Sequence, residues 1–124
     1  MPNYLLNCAY SPGSWARLLR AADNRVDAAK ELMESLGGSL HDVFWEVSGR
    51  SVHALADLPD SSAATAVAGV LHQSGAFKDV DVQEVLTQDQ FRGSLDLAKD
   101  SAKVYRVPGQ AVLDHDPSQS ASPR

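Results

Sequence analysis

The stretch VSGRSVHALADLPD, Val47 to Asp60, places Ser51, His53 and Asp57 at alternating positions, the residue types of a hydrolytic triad. On a β-strand, residues two apart point the same way, so Ser51, His53, Leu55 and Asp57 share one face. The same spacing argues against a triad. Neighbours i and i+2 stand about 6.6–7 Å apart, whereas a nucleophile and its base need about 2.6–3.2 Å. His53 is then best read by itself. An imidazole titrates near neutral pH, and on a face that lines an apolar interior it suits general acid–base catalysis. His53 is therefore the candidate catalytic residue. The plainer reading makes Arg50 and Ser51 hairpin residues and packs His53 at a subunit interface.

Other side chains are candidates for ligand binding. Arg25 opens a helical run and has the fork geometry to grip a carboxylate, unless it caps carbonyls or pairs with a nearby acid. Trp15, before the same break between helices, can wall a pocket mouth. Tyr10, at the end of a strand, can donate a phenolic hydrogen bond into a cavity. Arg50 can polarise a substrate from the hairpin. Cys8 has no basic neighbour to make a reactive thiolate and reads as a buried small hydrophobe. His72 suits a helix C-terminus, His41 the start of an edge strand, and His115 the polar tail. Four histidines and one cysteine without ligand spacing predict no metal site. Phosphate loops, zinc-protease helices and calcium loops are missing as motifs, and no cofactor is expected.

The elements that must position these residues can be read from periodicity. Asn3–Tyr10 (NYLLNCAY) is the first strand, with apolar groups on both faces. Ser11-Pro12 opens a short helix to about Ala22, and Asn24 caps a second run in which Val26, Ala29, Met33 and Leu36 fall on one face. Gly37-Gly38 ends it. Leu40–Val47 and Ser51–Leu58 are the second and third strands around a turn at Gly49-Arg50. Asp60 caps a helix with the stripe Ala64, Val67, Ala68, Leu71, closed by Gly75. Phe77–Leu86 is the fourth strand. Thr87-Gln88-Asp89-Gln90 is a capping box for a last helix to about Lys99. The domain accordingly covers residues 1–100. Residues 101–108, with KVYRV, form an extra strand or an arm, and residues 109–124 a disordered Pro/Ser-rich tail.

The order β-α-β-β-α-β is the ferredoxin-like plan, an α+β sandwich in which a four-stranded antiparallel sheet carries both helices on one face. Phe44 and Trp45 point opposite ways, as do Leu55 and its alanine neighbours. A sheet that is apolar on both faces needs a second cover. A second copy supplies it most economically, which gives a homodimer packed sheet against sheet, a dimeric α/β barrel.

The chain resembles the GYD-domain family within that superfold. The resemblance runs from Met1-Pro2-Asn3-Tyr4 and Tyr10-Ser11-Pro12, through Arg25 and Glu31-Leu32-Met33-Glu34-Ser35-Leu36-Gly37-Gly38, to Asp57-Leu58-Pro59-Asp60 and Leu86-Thr87. It spans residues 1 to about 98. The signature itself is degenerate: Arg50 stands about where the family has tyrosine and Ser51 where it has aspartate. A site tied to those two groups is therefore not inherited. Heme-degrading monooxygenases of the same superfold use an Asn, a Trp and a His. Asn7, Trp45 and His53 match them in type if they share one sheet surface, although here the histidine is on a strand and Trp45 equally suits a core.

Bulk properties bound the function. The chain has 124 residues, 44% hydrophobic and 22% charged, and its net charge of −5 leaves the 11 basic residues scattered, which excludes nucleic acid as an expected partner. No apolar run reaches the roughly 18 residues of a bilayer span. With no apolar leader and one cysteine, a cytoplasmic location is expected. The leading expectation is a barrel dimer that binds and transforms a small, largely apolar organic metabolite by cofactor-free acid–base chemistry (isomerase, cyclase or hydratase), as related barrels do in secondary metabolism. The alternatives are a ligand-sensing or oligomeric interaction module and a heme-type monooxygenase.

Overall fold

The structure is a computed structural model that describes residues 1–20 and 24–109. Its elements are β1 (Asn3–Tyr10), α1 (Pro12–Arg20), α2 (Arg25–Ser35), β2 (Ser39–Trp45), β3 (Ser51–Asp57), α3 (Ser61–Gln73), β4 (Phe77–Val85) and α4 (Gln88–Ser101). The chain forms two compact units, Met1–Thr87 and the segment from Gln88 onward. The first is the expected α+β ferredoxin-like arrangement, a four-stranded antiparallel sheet in the order β2-β3-β1-β4.

β1 is central, pairing with β3 on one side and β4 on the other. Its alternation is strict: Tyr4, Leu6, Cys8 and Tyr10 are buried, and the residues between them are half-buried. Tyr4, Leu6 and Cys8, with Ala56 and Leu58, pack against Met33 of α2 and Ala64 and Val67 of α3. Leu6, Met33, Leu58 and Val67 are almost wholly enclosed, each contributing roughly 1.5–3 kcal/mol by burial.

The helix ends form where the sequence predicts. Ser11 Oγ accepts from the backbone N–H of Ser14 at 3.3 Å ahead of Pro12. Asn24 Oδ1 accepts from Asp27 N–H at 3.1 Å, and Asp60 Oδ1 from Ala63 N–H at 2.9 Å. Gly37 turns the chain out of α2 with φ of +84°. At Gly38 a β-carbon would collide with the Asp57 carbonyl oxygen, so only glycine lets β2 start beside the end of β3. Ala22, the expected end of α1, lies outside the described residues.

β2 contains a bulge. Leu40 pairs with Ala56 and Asp42 with Leu55, so His41 is the extra residue. Beyond it, Phe44 pairs with His53 and Trp45 with Val52.

In the second unit, α4 buries none of its residues, and Asp89 in its first turn and Lys99 in its last complement the helix dipole. Phe91 and Leu95, one turn apart, are about half exposed. Lys103–Val107 is not a strand: Lys103, Val104 and Tyr105 donate their N–H groups back to Asp100 and Ser101 carbonyls, prolonging the helix end as turns. Of the expected disordered tail, residues 109–124, all but Gly109 lie outside the described residues. Among the described residues, no helix is long and apolar enough to cross a membrane.

Candidate functional site

A cavity of about 290 Å³ opens between the helix-bearing face of the sheet and helices α2 and α3. Short side chains leave room in its lining: Ala28 and Ala29 on α2 and Ala54 on β3. Larger groups form its walls, among them Leu6, Leu32, Met33, Val52, Leu71 and Phe77. Its polar groups are few. The Tyr10 hydroxyl accepts from the indole Nε1–H of Trp45 at 3.0 Å, which leaves its own O–H to donate. The Tyr10 ring stacks on Phe77 with centroids 5.1 Å apart. Arg25 also lines the cavity. The Cys8 thiol is in the wall, and burial, helped by the negative charge of Asp81, pushes its pKa up to about 11. It is a protonated, unreactive group, as its surroundings predict.

A second space of about 320 Å³ shares Tyr10, Arg25 and Ala76 with the first and is otherwise lined by α1, through Ser14, Arg17, Leu18 and Arg20.

The expected site residues divide between the two faces of the sheet. Tyr10, Arg25 and Trp45 come together at the cavity. Asn7 and His53, paired across β1 and β3, lie on the opposite face with Phe44. There His53 Nδ1 lies 2.6 Å from Asn7 Oδ1 and Nε2 lies 2.8 Å from Glu46 Oε2. If both oxygens accept, the ring is an imidazolium; with the Asn7 amide turned over, its N–H donates and the neutral ring fits. Either way both ring nitrogens are engaged, and neither faces the cavity.

The expectation that Asn7, Trp45 and His53 share one surface is therefore corrected. Adjacent residues in a strand pairing project to one face, and the pairs Asn7–His53–Phe44 and Cys8–Val52–Trp45 alternate. The residue set that suggested heme chemistry is split by the sheet.

Trp15 and Arg50 line neither space. Trp15 lies against the β2–β3 turn, where a β-carbon on Gly49 would stand 2.6 Å from its Cη2, and Gly49 has φ of +77°. Arg50 is exposed; its carbonyl accepts from Tyr10 N–H at 2.9 Å. Asp57 belongs to another group altogether. Its Oδ1 accepts from Ser39 Oγ at 2.6 Å and Ser39 N–H at 3.0 Å, and His41 Nε2 is 3.5 Å from Oδ2. The Ser39 hydroxyl above all holds the Asp57 carboxyl below the usual carboxylate range. Among the described residues, no group of three or more His, Cys, Asp and Glu is placed to hold a metal ion.

Three participants, Glu46, Ser14 and Arg17, are absent from the residues the sequence singled out. Glu46 meets His53 from the far side of the hairpin, a contact that only the strand register reveals. Ser14 and Arg17, one helical turn apart, carried a legible signal in their i, i+3 spacing.

No curated protein matches the chain. Among solved structures it is similar to the P2 domain of the chemotaxis kinase CheA, in complex with the response regulator CheY, from the thermophile Thermotoga maritima. The identity is 13%, with a TM-score of 0.45 over 68% of this chain and 98% of that chain. The family model of the GYD domain matches residues 4–95, the whole sheet and α1 to α3 included. The chain thus belongs to the GYD-domain family, with Gly49 at the turn into β3 followed by Arg50 and Ser51.

Proposed function

We propose that this domain binds a small, largely apolar organic metabolite in the cavity between the sheet and helices α2 and α3. The observation that carries the reading is the cavity itself. About 290 Å³ of space walled by aliphatic and aromatic side chains, with a few polar groups converging on it, is near the lower end of the usual range for ligand sites. Tyr10 and Arg25 are the groups suited to orient the ligand, one by a hydroxyl proton and the other by a guanidinium. His53 is on the other side of the sheet, so the acid–base chemistry expected of it is not assigned to this cavity.

The test is a titration with the uncharged fluorescent probe N-phenyl-1-naphthylamine. Saturable 1:1 enhancement is expected, lost in Ala29→Phe, which fills the space, with the circular dichroism spectrum retained. An absence of saturable binding by the wild type sinks the reading.

One observation favours a second role, for the other face. Phe44 is 59% exposed there, beside the half-buried Leu5 and Leu55. A second copy packed on this face would remove that apolar surface from water. Sedimentation of the wild type as a dimer, and of Phe44→Glu as a monomer, is the expected result.

A further inference from the structure

We infer that the bound metabolite carries an anionic head group, a carboxylate or a phosphate monoester, held in the α1 space while its apolar body fills the cavity. The inference rests on the binding reading above and names the class of its ligand. Its basis is the contrast between two adjoining spaces. The cavity is mostly apolar, with Arg25 its one charged wall residue among those described, whereas the space beside it brings Arg17 and Arg20 together with Arg25 around one volume of about 320 Å³. Tyr10, Arg25 and Ala76 form the wall common to both, so a molecule spanning them passes the Tyr10 hydroxyl and the Arg25 guanidinium.

Arg17 is held in place by a neutral group. Its Nη2 donates at 3.0 Å to the hydroxyl of Ser14, the buried polar side chain of α1. Ser14 is fixed in turn by Ser11, whose Oγ accepts from Ser14 N–H at 3.3 Å and lies 3.0 Å from the Gly75 carbonyl oxygen. A serine hydroxyl orients a guanidinium without cancelling its charge. Among the described residues, neither Arg17 nor Arg20 has a carboxylate partner within 4.0 Å. Two like charges one helical turn apart repel, and an anion between them relieves that repulsion while accepting charge-assisted hydrogen bonds. In a chain whose net charge is −5, this is local positive charge at the edge of an apolar cavity. The pattern fits an amphipathic organic acid.

The experiment is displacement of bound N-phenyl-1-naphthylamine by octanoate, octyl phosphate and 1-octanol, which share one apolar body. With wild-type protein, at least one of the anions should displace the probe at about tenfold lower concentration than octanol, the scale of a charge-assisted contact. The stronger anion identifies the head group. In Arg17→Gln, whose side chain does not line the cavity, the advantage should shrink toward parity with octanol itself changed by less than about twofold, and in Arg25→Gln the advantage should shrink as well. Arg17→Glu should favour octanol outright. Equal displacement by all three in the wild type overturns the anionic head group but leaves the cavity reading standing. An advantage that survives both glutamine variants overturns the placement of the head group among these arginines, and it too leaves the cavity reading standing. If the probe is not retained at all, the cavity reading fails and this one with it.

Discussion

Trp45 donates its indole N–H to the hydroxyl of Tyr10 across 3.0 Å, joining the edge strand β2 to the central strand β1 at the cavity wall. The bond fixes the Tyr10 oxygen as an acceptor on one side and frees its proton for the other. Tyr10→Phe should lower unfolding free energy by about 0.5–1.5 kcal/mol in urea titrations, the usual net value of one such bond. It should also weaken polar ligands more than octanol in the displacement assay.

The thiol of Cys8 gives a pH signature. Its pKa in the fold is raised to about 11, while an unfolded thiol titrates near 8.5. The folded state therefore binds the extra proton between those values, and stability falls as pH rises through that window. Melting temperatures between pH 8 and 10.5 should decline, and Cys8→Ala should flatten the decline. Ellman's reagent at pH 8 should react with Cys8 far more slowly than in denaturant.

Asp57 works in the opposite sense. Its depressed pKa, caused first by the Ser39 hydroxyl, means that its stabilising contribution is present above the unfolded carboxylate value and is lost as pH falls through the folded one. Ser39→Ala should move the Asp57 carboxyl titration, followed by NMR, back toward the ordinary value.

At Gly49, two constraints coincide: a φ of +77° and the Trp15 ring where a β-carbon would go. Gly49→Ala should destabilise the protein by roughly 1–3 kcal/mol, from the backbone strain and the collision together. Trp15→Ala in the same chain removes the collision but not the strain, so it should recover only part of the loss.

Because His53 lies behind the sheet, His53→Ala should leave N-phenyl-1-naphthylamine affinity within about twofold of wild type. A larger loss would place its influence at the cavity after all. Its effect is expected instead on self-association, measured by sedimentation.

Much of the fold was legible because local chemistry and pattern agree. β1 alternates without interruption, and Asn24 and Asp60 are both caps by type and caps in fact. The faces of β2 were another matter. Counting in twos from the inward Leu40 sends Asp42 and Phe44 into the core. The extra residue at His41 reverses the count, turning Val43 and Trp45 inward and Phe44 out. Nothing in HDV marks a bulge. The site was legible only where it depended on regular elements: Tyr10 and Arg25 reached the cavity, whereas the grouping of Asn7 and His53 with Trp45 failed at that one residue.

The bulge at His41 also governs how this chain may be compared with others. A gap or insertion at that point exchanges inside for outside along the rest of the strand. A relative one residue shorter there would present a residue like Phe44 to the cavity and one like Trp45 to solvent, and its Tyr10 counterpart would lose its donor. Alignments that slide a gap by one position through Leu40–Asp42 will thus transfer the cavity to the wrong side chains, even where every neighbouring column matches.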